Sequence, residues 1–249
     1  MIKLLLFAYT VYRKKKLQAN ATSLVYSERQ VISMQITVRD PGSALTHFIA
    51  MMMAILASVP LLLKAGLFSG PLCFIAMAIF MCSMVLLYAA STTYHTLNLS
   101  DKALKIFRKI DHMMIFVLIA GSYTPVCLIT LGGKLGYTLL SVVWGIALFG
   151  IILKACWVTC PKWFSSMIYI SMGWVCLGVF GTLWNVLPHA AFLWLLAGGI
   201  FYTIGGVIYA LKIKIFGGRY AYFGAHELFH VFVMLGSACH FIFMFRYVA

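Results

Sequence analysis

The stretch that decides the fold is Trp163–Leu211, WFSSMIYISMGWVCLGVFGTLWNVLPHAAFLWLLAGGIFYTIGGVIYAL, which contains no Asp, Glu, Lys or Arg over 49 residues. As a single helix it would span roughly 74 Å at ~1.5 Å per residue, more than twice the thickness of the hydrocarbon core of a bilayer. We therefore predict two membrane-spanning helices here. The break is expected near Asn185–Pro188, because proline is well placed to begin a new helix.

Five more segments are apolar enough to cross a bilayer, for which a helix needs about 20 residues. They are Ala44–Leu63, Pro71 to about Leu97, Met113–Gly133, Leu135–Leu153, and Leu228–Phe245 extended backward to about Phe223. The predicted fold class is an all-α membrane protein with seven transmembrane helices. The predicted organisation is a cytoplasmic N-terminal tail over residues 1–40, with Met34 as an alternative start, followed by a seven-helix domain over residues 41–249.

The composition excludes several classes of protein. Of the 249 residues, 63% are hydrophobic and 10% charged, and the mean hydropathy is +1.00, whereas soluble domains are about 45–50% apolar and about 25% charged. A soluble enzyme, a disordered tail and a secreted disulfide scaffold are therefore improbable. The net charge of +14 would suggest nucleic acid in a soluble protein, but membrane topology explains it better, so no nucleic-acid partner is predicted.

Charged loops predict the orientation in the membrane, since Lys and Arg accumulate on the cytoplasmic side. With the N-terminal side inside, three basic residues lie outside and sixteen lie inside. The bias is nine against three even without the N-terminal tail. The N-terminus is therefore predicted to be cytoplasmic and the C-terminus outside, in a multi-pass protein of the cell membrane. The outside residues are Lys64, Lys134 and Arg246.

Ionisable groups inside a membrane are costly, so each is a functional candidate. His95 lies near the inner end of the second predicted helix. Asp111 begins the third, and His226 and His230 occupy the first turns of the seventh. Topology alone therefore predicts that these four side chains lie at one level, on the cytoplasmic side. His47, early in the first helix, is expected at the same level.

His226 and His230 are four residues apart, so they project from one helix face and can bind one metal ion. A third histidine, His95, would complete a three-histidine set with a fourth position left for water, which is typical of catalytic zinc. Asp111 is a candidate to orient or deprotonate that water. Ser91, one turn before His95, is a weaker candidate for a supporting role.

Some of these residues also have a simpler interpretation. The i, i+4 spacing of His226 and His230 can arise by chance, and Asp111 can be a helix N-cap. A different functional interpretation is a metalloprotease, because His226–His230 matches the H-E-x-x-H pattern, in which Glu227 would be the general base. His47 and His112 are expected to pack or form hydrogen bonds. His189 is assigned no role, and His240 is expected to be roughly 15 Å beyond His230, too far to share its ion.

Several motifs in sequence order resemble the hemolysin III family, the bacterial branch of the progestin and adipoQ receptor family, over about Val38 to Ala249. The segments that carry the resemblance are Asp40–Ala44 with Thr46-His47, Ser91-x-x-x-His95, Asp111-His112, Ala120–Pro125 and His226–His230. The resemblance implies seven helices with a cytoplasmic N-terminus. It also implies zinc held by His95, His226 and His230, with the family's acid at Asp111 and its serine at Ser91.

The resemblance further implies a role in membrane lipid homeostasis, to which bacterial members of the family are linked. The wider superfamily includes alkaline ceramidases, and the adiponectin receptors are similar to zinc-dependent lipid amide hydrolases. Our leading hypothesis is a zinc-dependent hydrolase of a lipid amide or ester, with membrane lipids as partners. The alternative is a non-enzymatic protein in which structural zinc joins the second and seventh helices, as a lipid sensor or a haemolytic protein. A pore former is disfavoured, because no helix shows a line of polar residues.

Overall fold

The computed structural model describes residues 13–18, 20, 38–211 and 223–249. Residues 13–18 and 20 are helical. The described residues between Val38 and Ala249 form one compact unit. Met34, the alternative start, and most of the predicted tail lie outside the described residues.

Seven segments of the described chain are helical, long and apolar enough to cross a membrane, and no described residue is in a β-strand. The predicted fold class is confirmed. π-helical turns close the first, third and seventh spans, at Ala65–Ser69, Val126–Leu131 and Met244–Val248. The α-helices are α1 (Pro41–Lys64), α2 (Pro71–Thr96), α3 (Asp101–Pro125), α4 (Gly133–Cys156), α5 (Lys162–Gly173), α6 (Phe180–Val186), α7 (His189–Leu211) and α8 (Ala225–Phe243).

The predicted break in the longest apolar run is confirmed: α6 ends at Val186 and α7 begins at His189. The span before it has a second irregularity, because the 3₁₀ segment Val175–Val179 separates α5 from α6. The Tyr123 hydroxyl donates to the Gly173 carbonyl at 2.6 Å and accepts from the Cys176 N–H at 3.0 Å. It thereby satisfies two backbone groups that the interruption would otherwise leave unpaired inside the membrane.

Helix α3 begins earlier than the sequence predicted. It starts at Asp101, so Asp111 lies in its third turn and not at its start. Hydropathy missed this extension because the segment Asp101–Ile110 is amphipathic, with several charged residues beyond the apolar span. Asp111 is therefore not a helix N-cap, and capping does not explain why its carboxyl is buried.

The centre of the bundle is formed by α2, α3 and α8. In the most apolar 18-residue stretch of each of these three spans, 50%, 56% and 44% of the residues are buried, whereas the corresponding share in the other four spans is 22–28%. Large apolar side chains on the outer helices, such as Leu56, Phe149 and Leu193, are exposed, as expected for surfaces that face lipid. The three central helices are also those that carry the predicted site residues.

Candidate metal centre

Three histidines from two helices converge at the end of the bundle where α1, α3 and α8 begin. His95 lies in the last turn of α2, and His226 and His230 lie in the first turns of α8. One ring nitrogen from each lies within 4.8 Å of the others. Within the described residues, this is the one group of His, Cys, Asp or Glu with spacing suited to a metal ion.

The donor set fits a zinc ion. The Nε2 atoms of His95 and His226 are 3.2 Å apart. Two nitrogens bound to one tetrahedral zinc at ~2.0–2.1 Å would lie about 3.3 Å apart. Neutral imidazole is a ligand that zinc prefers, and three protein ligands are typical of catalytic sites.

Two hydrogen bonds orient the ligand rings. His95 Nδ1 lies 2.9 Å from Oδ2 of Asp40, and because a carboxylate only accepts, Nδ1 carries the proton and Nε2 presents its lone pair. His230 Nδ1 lies 3.1 Å from Oγ1 of Thr46, whose own hydrogen is donated to the Gly42 and Ser43 carbonyls. His230 therefore also presents Nε2. Such outer contacts are common around metal-binding histidines.

Asp40 joins the first and second spans in two ways. Its backbone N–H donates to the carbonyl of His95 at 3.0 Å, while its side chain accepts from that residue's ring and from Arg39 Nε at 2.9 Å. Partial burial opposes ionisation of Asp40, but the hydrogen bonds from His95 and Arg39 outweigh it and lower the pKa of the carboxyl below its usual value. Asp40 is therefore an anion at neutral pH.

The two predicted catalytic residues lie beside the histidines. Asp111 and Ser91 are buried, 8% and 1% exposed, and both line a cavity that His226 and His230 also line. The Ser91 hydroxyl is buried and lies within hydrogen-bonding reach of the Asp111 carboxyl. The structure thus brings a carboxyl and a hydroxyl to the cavity that two of the three clustered histidines line.

Glu227 has a different position from the one the metalloprotease pattern requires. Its carboxyl accepts the Gly224 backbone N–H at 2.8 Å and also accepts a hydrogen bond from the Ser43 hydroxyl. It therefore satisfies the start of α8 and joins that helix to α1. Glu227 does not line the cavity. The arrangement favours a structural role for this acid.

The remaining histidines do not complete the cluster. His47 stacks on His230, with ring centroids 3.5 Å apart and planes at 11°. His112 lines the cavity, and its backbone carbonyl accepts a hydrogen bond from Tyr169. His189 is exposed against Trp184. His240 is hydrogen-bonded to the Leu195 carbonyl at 3.2 Å.

The cavity extends from the histidine cluster along the bundle. Its volume is about 160 Å³. Asp111 and His226 line it at the end where α8 begins, and Leu183 and Phe192 line it near the α6–α7 turn at the opposite end. Most of the residues between them are apolar, so the cavity has a polar end and a long apolar part.

The sequence indicates no role for Asp40 or Thr46, although both are hydrogen-bonded to histidines of the candidate metal centre. The proximity of Asp40 to His95 could have been predicted, because α1 begins and α2 ends at the same side of the membrane. An acid just before α1 is therefore expected at the same membrane depth as His95. Thr46 gave no comparable signal, since which face of α1 meets α8 is decided by packing.

The fold and site together define a seven-span membrane protein with a three-histidine candidate metal centre at one end of its central helices. The family model for haemolysin-III related proteins matches residues 36–241. Hemolysin-3 of Bacillus cereus is 35% identical over 222 residues, covering 89% of this chain and 97% of that protein. The Hemolysin-3 homolog of Bacillus subtilis strain 168 is 38% identical over 200 residues, covering 80% and 90% respectively.

The chain belongs to the haemolysin III family, and it is a multi-pass protein of the plasma membrane. The chain is more distantly similar to an animal protein. Progestin and adipoQ receptor-like protein 1 of Caenorhabditis elegans is 29% identical over 192 residues, covering 67% of this chain and 42% of that protein. The family resemblance read from the motifs is confirmed by these matches.

Proposed function

We propose that this protein is a zinc-dependent hydrolase that cleaves an amide or ester bond in membrane lipids. The observation that carries the proposal is the position of the three-histidine cluster beside Asp111 and Ser91, at the polar end of a long apolar cavity. A hydrolytic site for a lipid needs both parts, since the scissile bond is polar and the chain attached to it is apolar.

The cavity supports a lipid as the ligand. An acyl chain lying along it would contact Leu183 and Phe192, and its carbonyl end would meet Asp111 and the histidines. Burial of apolar surface favours such binding by roughly 25 cal/mol per Å². The distribution of Lys and Arg between the loops favours a cytoplasmic location for this polar end, and on that basis we propose that the substrate is drawn from the inner leaflet.

Zinc held by His95, His226 and His230 would supply Lewis-acid activation of a carbonyl and of water. The roles of the protein groups follow from their positions. Asp111 is placed to take a proton from water and to return one to the leaving amine or alcohol. Ser91 has a buried hydroxyl next to the Asp111 carboxyl in the same cavity and is proposed to donate a hydrogen bond to a substrate oxygen.

A second candidate function is non-enzymatic. The three histidines come from α2 and α8, so a metal ion would also join two central helices, as a structural site does. Closed structural sites, however, use four protein ligands, whereas three are grouped within the described residues. The adjoining cavity favours the catalytic proposal.

The deciding experiment uses purified, zinc-loaded protein in lipid nanodiscs with a ceramide and, separately, a glycerophospholipid. Release of fatty acid is measured for the wild type and for Asp111→Asn, with the zinc content of each. We expect turnover by the wild type on at least one lipid, with a loss of about 10²-fold or more in Asp111→Asn and zinc retained. A zinc-loaded wild type without turnover on either lipid would favour the non-enzymatic function.

A further inference from the structure

His47 is a buried histidine next to the metal centre that the proposed chemistry does not use. It lies in the second turn of α1, is 3% exposed, and its ring lines the same cavity as Asp111 and Ser91. It stacks on the ring of His230. Its position therefore gives it access to anything bound at the polar end of the cavity.

Both ring nitrogens of His47 are buried without a hydrogen-bond partner. All seven histidines lie in the described residues, and His47 alone has this property. Nδ1 of His95 and Nδ1 of His230 have partners in Asp40 and Thr46. Burial of a polar group without a hydrogen bond is unfavourable, and such a group in a native protein calls for an explanation.

The neighbouring side chains do not provide the missing partner. The ring of Tyr88 packs edge-on against His47 with centroids 5.1 Å apart. The Tyr88 hydroxyl is directed elsewhere, because it donates to the Ser237 hydroxyl at 2.7 Å. On its other face His47 meets the ring of His230. Since His47 also lines the cavity, a ligand bound there can supply a polar partner.

His47 is also unsuited to be a further ligand of the same ion. An imidazole binds a metal through a lone pair in its own ring plane. The His47 and His230 rings are nearly parallel, at 11°, with centroids 3.5 Å apart, so an ion in the plane of His230 lies outside the plane of His47. A group that pairs with a His47 nitrogen would therefore lie in a different plane from an ion bound by His230.

We propose that the His47 ring N–H binds the acceptor oxygen of the cavity ligand, a carbonyl at the polar end of a long apolar chain. In either neutral tautomer the ring offers one N–H donor, and a carbonyl oxygen is its natural acceptor. This inference rests on the proposed function, since both assume that a lipid occupies the cavity. It adds a binding residue on α1, beyond the metal ligands, Asp111 and Ser91.

The test measures binding without hydrolysis. A long-chain methyl ketone has the carbonyl but no leaving group, and the alkane of equal carbon number lacks the acceptor. Both compete with a fluorescent fatty acid for full-length, zinc-loaded protein in detergent. His47→Phe keeps an aromatic ring without hydrogen bonds, His47→Gln keeps an N–H donor, and His189→Phe is the same change at an exposed histidine away from the cavity.

We expect His47→Phe to bind the ketone at least fivefold more weakly and the alkane as the wild type does, with zinc content unchanged. His47→Gln is expected to bind the ketone more tightly than His47→Phe, and His189→Phe to match the wild type. Equal ketone affinity in His47→Phe and wild type would overturn the inference while the lipid site stands, as would loss of zinc in His47→Phe. If the wild type binds none of the fatty acid, ketone or alkane, the inference and the proposed function both fail.

Discussion

Asp40 and His95, 55 residues apart in sequence, are joined through both backbone and side chain. The Asp40 N–H donates to the His95 carbonyl at 3.0 Å, and the Asp40 carboxylate accepts from the His95 ring at 2.9 Å. The first contact fixes where α1 begins relative to the end of α2. The second fixes the tautomer of a candidate metal ligand, so one residue sets both the position and the direction of Nε2.

Removal of this carboxylate is expected to weaken metal binding. In Asp40→Ala the His95 ring loses the acceptor that orients it, and loss of such an outer partner costs about 10–100-fold in metal affinity. Zinc affinity measured by competition with a chromophoric chelator checks this. Asp101→Ala, at an exposed acid in the first turn of α3, is the control and should bind zinc as the wild type does. Equal affinity in both variants would exclude the orienting role.

The hydrogen bond between Thr46 and His230 is also expected to affect zinc affinity. Thr46→Val keeps the shape of the side chain but removes the oxygen that accepts from Nδ1 of His230. Loss of one such bond, at about 0.5–1.5 kcal/mol, is expected to weaken zinc binding by about 2–12-fold. Thr93→Val is the matched change in α2, where the hydroxyl bonds to the carbonyl of Ala89 in its own helix, and it should leave zinc affinity unchanged.

Replacement of each acid by its amide distinguishes the role of Glu227 from that of Asp111. Glu227→Gln retains an oxygen for the start of α8, so it is expected to keep both its zinc and most of its lipid hydrolysis. Asp111→Asn is expected to keep zinc and lose hydrolysis. Fatty-acid release by the two variants, measured side by side, checks this. The opposite order would restore Glu227 as the base, as in the H-E-x-x-H metalloproteases.

Close packing of α4 gives a prediction for stability. A Cβ at Gly136 would lie 2.0 Å from the carbonyl oxygen of Cys127, whereas one at Gly145 in the same helix would have no neighbour within 4 Å. Gly136→Ala is therefore expected to cost about 1–3 kcal/mol through overpacking. Gly145→Ala is expected to be neutral or stabilising by about 0.5–1 kcal/mol. Thermal unfolding of both variants in one detergent compares them, and equal midpoints would contradict the packing.

Much of the architecture was readable from the sequence because membrane spans have a minimum apolar length. Charge-free runs gave seven spans, and Pro188 located the break before α7. Hydropathy failed for the start of α3 because Asp101–Ile110 is helical and amphipathic. It also gave no sign of the 3₁₀ segment Val175–Val179, whose backbone groups depend on the side chain of Tyr123 from another span.

The level of the site residues in the membrane was also predictable from the sequence. Alternating spans place residues near known ends at known levels, so the convergence of His95, His226 and His230 followed from topology and helix spacing. Depth does not give the direction of a side chain around the helix axis. The contact of Thr46 with His230 and the stacking of His47 on the same ring depend on that rotation, which the packing of α1 against α8 determines.

The central claim is that the three histidines bind one zinc ion, and the metal content of the purified protein tests it most directly. Elemental analysis should find about one zinc per chain in the wild type and in the control His189→Ala. It should find almost none in the double variant His226→Ala/His230→Ala. A wild-type protein that stays free of zinc after zinc is supplied, or a double variant that retains it, would contradict the account.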